Sequence, residues 1–222
     1  MTELARPKAV LWDFDGTLVD SEPMWTEHEQ DIMARHGVTM PEQWYLDHCG
    51  QPAIRTSRLM SEALGGAMST AEVHEELHQR ICDRFAAGEI PWLPGARELL
   101  ADLVAHGVRC AMVTASVKRI MTVVAQALPE FEFIIDGDDV SRTKPDPEGY
   151  LLAMERLGVA PHEVLILEDS VPGTAAGLAA GAAVLAVPTL IPVEPAPRRV
   201  IRPEGLVGLG WDELSEIWRS QW

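Results

Sequence analysis

The sequence predicts a doubly wound parallel α/β sheet with an inserted α-helical domain. Three observations carry that expectation. Five short apolar runs each end where polar or acidic residues begin, and helix-like segments separate the last four. The stretch 21–94, between the first and second runs, holds helix-like segments and no convincing strand.

The five runs are 9–14 (AVLWDF), 108–114 (VRCAMVT), 131–135 (FEFII), 164–167 (VLIL) and 182–187 (AAVLAV). Rich in Val, Ile and Leu, they fit strands buried on both faces, although periodicity alone does not separate so short a run from helix. The intervening helices have their own punctuation. Segment 96–106 carries Leu99, Leu100, Leu103 and Val104 at helical spacing and stops at Gly107. Segment 117–128 runs into Pro129, 147–157 opens with proline and closes at Gly158, and 170–180 ends at Gly181. Alternating strand and helix is the pattern of a parallel, Rossmann-like sheet.

The early stretch is too long for a loop. Its segments 23–36, 53–64 and 70–87 read as helices. The expected organisation is an α/β domain formed by 1–20 and 92–222, with a helical domain over 21–91 hinged near 19–22 and 89–95. The proline-rich tail after Pro188 is expected to be irregular, and 212–222 to be a short closing helix.

Composition narrows the function classes. With 222 residues and 47% hydrophobic content the chain can bury a sizeable core. Against 18 basic residues stand 34 acidic ones, a net charge of −16. Such a surface repels nucleic-acid backbones and anionic membrane faces. It also repels a phosphorylated metabolite, so a phosphate site here needs a local cation. No apolar window approaches the ~18 residues of a membrane span, and the start does not read as a signal peptide. Cys49, Cys82 and Cys110 are scattered and odd in number, so no disulfide framework is implied. The cytoplasm is the expected compartment and a monomer the expected state.

The first run ends in Asp13-Phe14-Asp15-Gly16-Thr17. Side chains two apart on an extended segment point the same way, so Asp13 and Asp15 can face one site. Ligands of open α/β sheets bind beyond the carboxyl ends of the strands. There the second run offers Thr114-Ala115-Ser116, a hydroxyl beside backbone amides suited to a phosphate oxygen. The fourth delivers Glu168-Asp169-Ser170, hard oxygen ligands of the kind magnesium prefers. Lys144, in Lys144-Pro145-Asp146-Pro147, supplies the missing cation. Taken singly, these groups are helix caps or surface charges. Taken together, they are the groups phosphoryl transfer requires, and their charge needs a divalent cation to balance it.

The strings DFDGTLVDSE, VTAS, KPDPEGY and LEDSVPG resemble the four motifs of the haloacid dehalogenase superfamily. Their order and the long helical insert look like its β-phosphoglucomutase-like branch of capped phosphatases and mutases. The resemblance spans roughly 8–187. It implies a magnesium-dependent phosphatase acting on a small phosphomonoester, a sugar or polyol phosphate, through an aspartyl-phosphate. Asp13 would be the nucleophile and Asp15 the acid and base. Thr114, the Ala115 amide and Lys144 would hold the phosphoryl group. Asp13, the Asp15 carbonyl and Asp169 would hold magnesium, with Glu168 alongside. The insert would be a cap, in which position alone marks Trp25, His28, His48, Gln51 and Arg55 as substrate contacts.

An intramolecular phosphomutase is the nearest alternative. The mutases that the chain resembles carry a histidine ten residues beyond the second aspartate, where Trp25 stands here. They also carry an arginine three residues beyond a cap-loop glycine; if Gly50 is that glycine, Ala53 stands there, with Arg55 close by. A non-catalytic phosphate-binding module would be expected to lack part of the intact Asp13, Asp15, Thr114, Lys144 and Asp169 set. Dehalogenation is disfavoured by Asp15, an acid which that reaction does not use. The segment His74-Glu75-Glu76-Leu77-His78 matches HExxH, but no third zinc ligand is evident.

Overall fold

The computed structural model describes residues 6–48, 53–188 and 191–222. Two compact units emerge, Met1–Asp20 with Pro91–Trp222, and Ser21–Ile90. The chain enters the first through β1 (Ala9–Trp12), an apolar strand buried along its whole length.

The second unit is helical: α1 (Glu22–Arg35), α2 (Glu42–His48), α3 (Ala53–Ala63) and α4 (Thr70–Ala86). It has its own core, in which Ile32 and Met33 meet Met60, Leu64, Val73 and Leu77. The start of α4 is fixed by a capping box. Ser69 Oγ accepts from the Glu72 N–H at 3.3 Å, and Glu72 Oε2 accepts from the Ser69 N–H at 2.7 Å.

The sheet unit resumes with α5 (Ala96–Ala105), β2 (Arg109–Val113), α6 (Lys118–Ala127) and β3 (Ile134–Ile135). It continues with α7 (Glu148–Leu157), a 3-10 turn (Pro161–Glu163), β4 (Val164–Glu168), α8 (Val171–Ala179) and β5 (Ala183–Ala186). It closes with β6 (Arg199–Ile201) and α9 (Trp211–Arg219). All strand pairs are parallel, in the order β3-β2-β1-β4-β5-β6. The α/β class read from the sequence is therefore the class observed. Residues Leu11, Val113, Ile166 and Val184 pack with Tyr150 and Met154 of α7 and Ala176 of α8. Their strand neighbours Val10, Cys110, Leu165 and Leu185 alternate to the other face and are buried too. Strand order reverses between β1 and β4, the place where an open α/β sheet forms its ligand crevice.

Three local expectations change. The tail is not wholly irregular, since β6 pairs with β5 through Leu185↔Val200 and Ala186↔Ile201. It is an edge strand of three residues, which tolerates nearby prolines and is too short to reveal a period. The run 131–135 pairs only at Ile134–Ile135. Helix α2, of seven residues, lies in a stretch left without an element in the sequence reading. Cys82 and Cys110 are buried, and burial pushes the Cys110 thiol up to about 12. Cys49 lies outside the described residues. No helix among the described residues is long and apolar enough to cross a membrane.

Glu29 of α1 is buried, and burial, reinforced by Glu22, raises its carboxyl from the ordinary 4.5 to about 7. Between those values the folded chain keeps a proton that the unfolded chain has released. Stability therefore falls as pH rises through that window. Glu29→Gln is expected to raise the melting temperature at pH 8 by roughly 5 °C and to change it little at pH 4.5. Thermal melts at both values check this, and equal shifts at the two would refute the account.

Candidate active site

The carboxyl ends of β1, β2 and β4 meet around one lysine. Asp13 follows β1 directly, and its N–H still donates to Leu167 O of β4 at 3.0 Å. Lys144, from the loop before α7, reaches beneath it. Its Nζ donates to Asp13 Oδ1 at 2.5 Å, Glu168 Oε1 at 2.6 Å and Val113 O at 2.9 Å. An ammonium has three protons, so the set is complete.

Glu168 closes β4 with no solvent exposure. Its Oε1 accepts from Lys144 and from the Tyr150 hydroxyl at 3.0 Å. Its Oε2 accepts from the Ser170 N–H and the Ser170 hydroxyl, each at 3.0 Å. The Tyr150 ring centroid lies 5.2 Å from Lys144 Nζ. Two glycines leave room for the acids. A Cβ on Gly173 would lie 1.7 Å from Glu168 Oε1. One on Gly16, whose φ is +85°, would lie 2.2 Å from Asp169 Oδ2.

The electrostatics follow from burial and charge count. Burial pushes the Asp13 carboxyl well above its usual range; Lys144 opposes this, while Glu168 and Asp169 add to it. Burial also works against the Lys144 charge, but Asp13 and Glu168 more than offset it and hold the proton on. Burial and Glu168 raise the Tyr150 phenol too, so it remains a donor. Three carboxylates, Asp13, Glu168 and Asp169, present oxygens all within 4.8 Å of one another. One ammonium leaves that cluster short of positive charge. Such a donor set, all hard oxygen, fits a divalent cation such as magnesium.

Regular pairing in β1 ends at Trp12, so Asp15 lies in a turn rather than on the strand. Its carboxylate accepts from the Ser116 hydroxyl at 2.5 Å, which ties the turn to the segment after β2. Thr114 is buried, and its Oγ1 accepts from the Ser116 N–H at 3.0 Å, while Ala115 is exposed. The structure thus brings Asp13, Lys144, Glu168 and Asp169 together, and links Asp15 to Thr114 through Ser116.

Two of the helical-unit candidates have aromatic partners nearby. Trp25 meets His78 edge-on at 5.3 Å, and His48 stacks on Trp44 at 4.5 Å. His28 is buried with its Nε2 unpaired, while Arg55 is exposed on α3. Gln51 and Gly50 lie outside the described residues. In the HExxH segment, His78 Nδ1 bonds to the His74 carbonyl at 2.8 Å. Among the described residues, only Asp13, Glu168 and Asp169 form a group of three or more ligating side chains.

The sequence reading missed Tyr150, Ser116 and Ser170 as site groups. Tyr150 ends the KPDPEGY string, and its place on the buried face of α7 was the available signal.

Comparison with known proteins supplies a family and a fold. The sequence profile of the haloacid dehalogenase-like hydrolases matches residues 7–181. Hexitol phosphatase A of Escherichia coli strain K12 is 36% identical over 185 residues, 82% of this chain and 83% of that one. A phosphorylated carbohydrates phosphatase of Thermotoga maritima is 30% identical, over 78% of this chain and 82% of that one. The crystal structure of a putative β-phosphoglucomutase from Thermotoga maritima superposes with a TM-score of 0.75. It is 26% identical, and the match covers 96% of this chain and 99% of that one.

The Glu168 cradle is testable through its glycine. Gly173→Ala is expected to displace the carboxylate and destabilise the sheet unit by about 3 kcal/mol, combining overpacking with a disturbed buried ion pair. Denaturant unfolding measures this. A loss below about 1 kcal/mol would mean that Glu168 has room to move.

Proposed function

This chain belongs to the haloacid dehalogenase-like hydrolase family and is a phosphoric monoester hydrolase, and from that premise we propose that it dephosphorylates a small sugar or polyol phosphate with magnesium. The observation that carries the reading is the buried Asp13, gripped through Oδ1 by Lys144 and adjoined by Asp169. The hexitol and carbohydrate phosphatases among its relatives support the substrate class.

Asp13 is the nucleophile in this reading. With Oδ1 held by Lys144, Oδ2 attacks phosphorus, and the bond to the leaving oxygen breaks as Asp15 gives that oxygen a proton. The Ser116 hydroxyl orients Asp15 for this transfer. Asp15 then takes a proton from water, which attacks the aspartyl-phosphate and regenerates the Asp13 carboxylate. Thr114, the Ala115 amide and Lys144 hold the phosphoryl oxygens. Magnesium, held by Asp13, the Asp15 carbonyl and Asp169, would supply the positive charge the carboxylates lack and polarise the phosphoryl group. Glu168, with four donors on its two oxygens, serves as the anchor of Lys144 rather than as a principal metal ligand. The helical unit, 21–90, acts as a cap that excludes water and selects the substrate body. Trp25, His28, His48, Gln51 and Arg55 are the candidates there for contacting it.

Hydrolysis is favoured over phosphomutation by Trp25. It stands at the sequence position where the mutases carry histidine, and its ring meets His78 edge-on. A mutase needs groups for a second phosphate, which an indole does not provide.

Three outcomes test the reading. Asp13→Asn should lower turnover of hexitol and hexose phosphates by at least about 10³-fold while leaving the fold intact. Activity within tenfold of the native chain would sink the nucleophile assignment. Chelation should abolish turnover, with magnesium restoring it better than calcium or zinc. With hexose 1- and 6-phosphates, and with or without a hexose bisphosphate, free phosphate should appear faster than the isomer. The reverse order would establish a mutase.

A further inference from the structure

Lys144 presents a difficulty that the proposed chemistry must resolve. Its three protons are already committed to Asp13, Glu168 and Val113 O. To hold a phosphoryl oxygen as well, Nζ must release one acceptor. Asp13 has to stay oriented for attack, and Val113 O belongs to the backbone of β2. Glu168 remains. Releasing it would ordinarily be costly, because a fully buried carboxylate oxygen would lose its charged donor.

The Tyr150 hydroxyl changes that cost. It donates at 3.0 Å to Oε1, the same oxygen that Lys144 uses, while Ser170 serves Oε2 twice. When Nζ turns away, Glu168 therefore keeps three hydrogen bonds, at least one on each oxygen. We propose that Tyr150 is a positioning residue that holds Glu168 in place, so that Lys144 can exchange this carboxylate for the phosphoryl oxygen. Tyr150 touches neither substrate nor the reacting atoms in this scheme and acts through Glu168. The ring lies on α7, two helical turns of whose buried face anchor it in the sheet core with Ala153, Met154 and Leu157. The hydroxyl is thus delivered by a rigid element, not by a loop.

The inference rests on the phosphatase reading, and it predicts a particular split. In Tyr150→Phe the resting arrangement survives, because Lys144 still satisfies Glu168 Oε1. The fold should therefore be nearly as stable as the native one. Phosphate capture should weaken instead, because Nζ can now leave only by orphaning Oε1. The expected loss is about tenfold in affinity for inorganic phosphate with magnesium present, and about tenfold in kcat/KM for p-nitrophenyl phosphate.

Glu168→Gln completes the test. If Tyr150 works through Glu168, then Tyr150→Phe added to Glu168→Gln should cost less than about twofold more. Calorimetric titration with inorganic phosphate, steady-state kinetics and thermal melts are measured on the native chain, both single variants and the double variant. The proposal is overturned if the two losses multiply in the double variant, or if Tyr150→Phe binds phosphate and turns over within twofold of the native chain. Failure of Tyr150→Phe to fold would also overturn it, since the hydroxyl would then be holding the core and not releasing the lysine. A native chain that neither binds phosphate nor hydrolyses p-nitrophenyl phosphate overturns the phosphatase reading and this inference together.

Discussion

A buried ammonium is the constraint around which the sheet unit is arranged. Taking an ion such as Lys144 out of water costs several kcal/mol unless close partners compensate. Here the partners come from three strands, Asp13 after β1, Val113 in β2 and Glu168 ending β4. They meet only because β1 lies between β2 and β4 in the sheet. Strand order and charge pairing therefore require one another. A slip of one residue in β4 would turn Glu168 to the opposite face and strand the lysine. In a chain of net charge −16, this lysine also supplies positive charge at the strand ends where an anion would arrive.

Space is as tightly specified as charge. Glu168 lies against Gly173 and Asp169 against Gly16, at separations where any side chain would collide. Ser170 serves twice, since its hydroxyl donates to Glu168 and accepts from the Gly173 N–H at 3.0 Å, capping α8. One residue thus ends the strand's acidic pair and starts the next helix. The short string LEDSVPG consequently encodes a carboxylate of the acidic cluster, a lysine anchor, a cap and a void.

The legible parts of the sequence were those whose meaning is local. Asp13 and Glu168-Asp169 stand at the ends of apolar runs, Lys144 stands just before a helix, and the runs themselves predicted β1, β2, β4 and β5. Tyr150 and Ser116 escaped because their partners are distant in sequence: the phenol meets Glu168 18 residues on, and the serine meets Asp15 101 residues back. Nothing in the spacing of a tyrosine or a serine announces such a contact. Strand β6 escaped for another reason, since Arg199–Ile201 is too short to carry a pattern and owes its conformation to pairing with β5. The HExxH string shows the converse: a locally suggestive pattern whose His78 Nδ1 is engaged by its own helix backbone.

The chain leaves and re-enters the sheet unit through paired segments. Val19 bridges Trp92, the Asp20 N–H donates to Pro91 O at 2.8 Å, and the Leu93 N–H donates to Leu18 O at 3.0 Å. Seen from the sheet, everything between those residues is a loop whose ends are already stapled. Closing such a loop depends only weakly on its length, about 0.6 kcal/mol for each doubling. Residues 21–90 carry a separate core of their own. The junction is thus a modular socket. Evolution or an engineer could lengthen, shorten or replace what it carries while the stapled ends stay as they are.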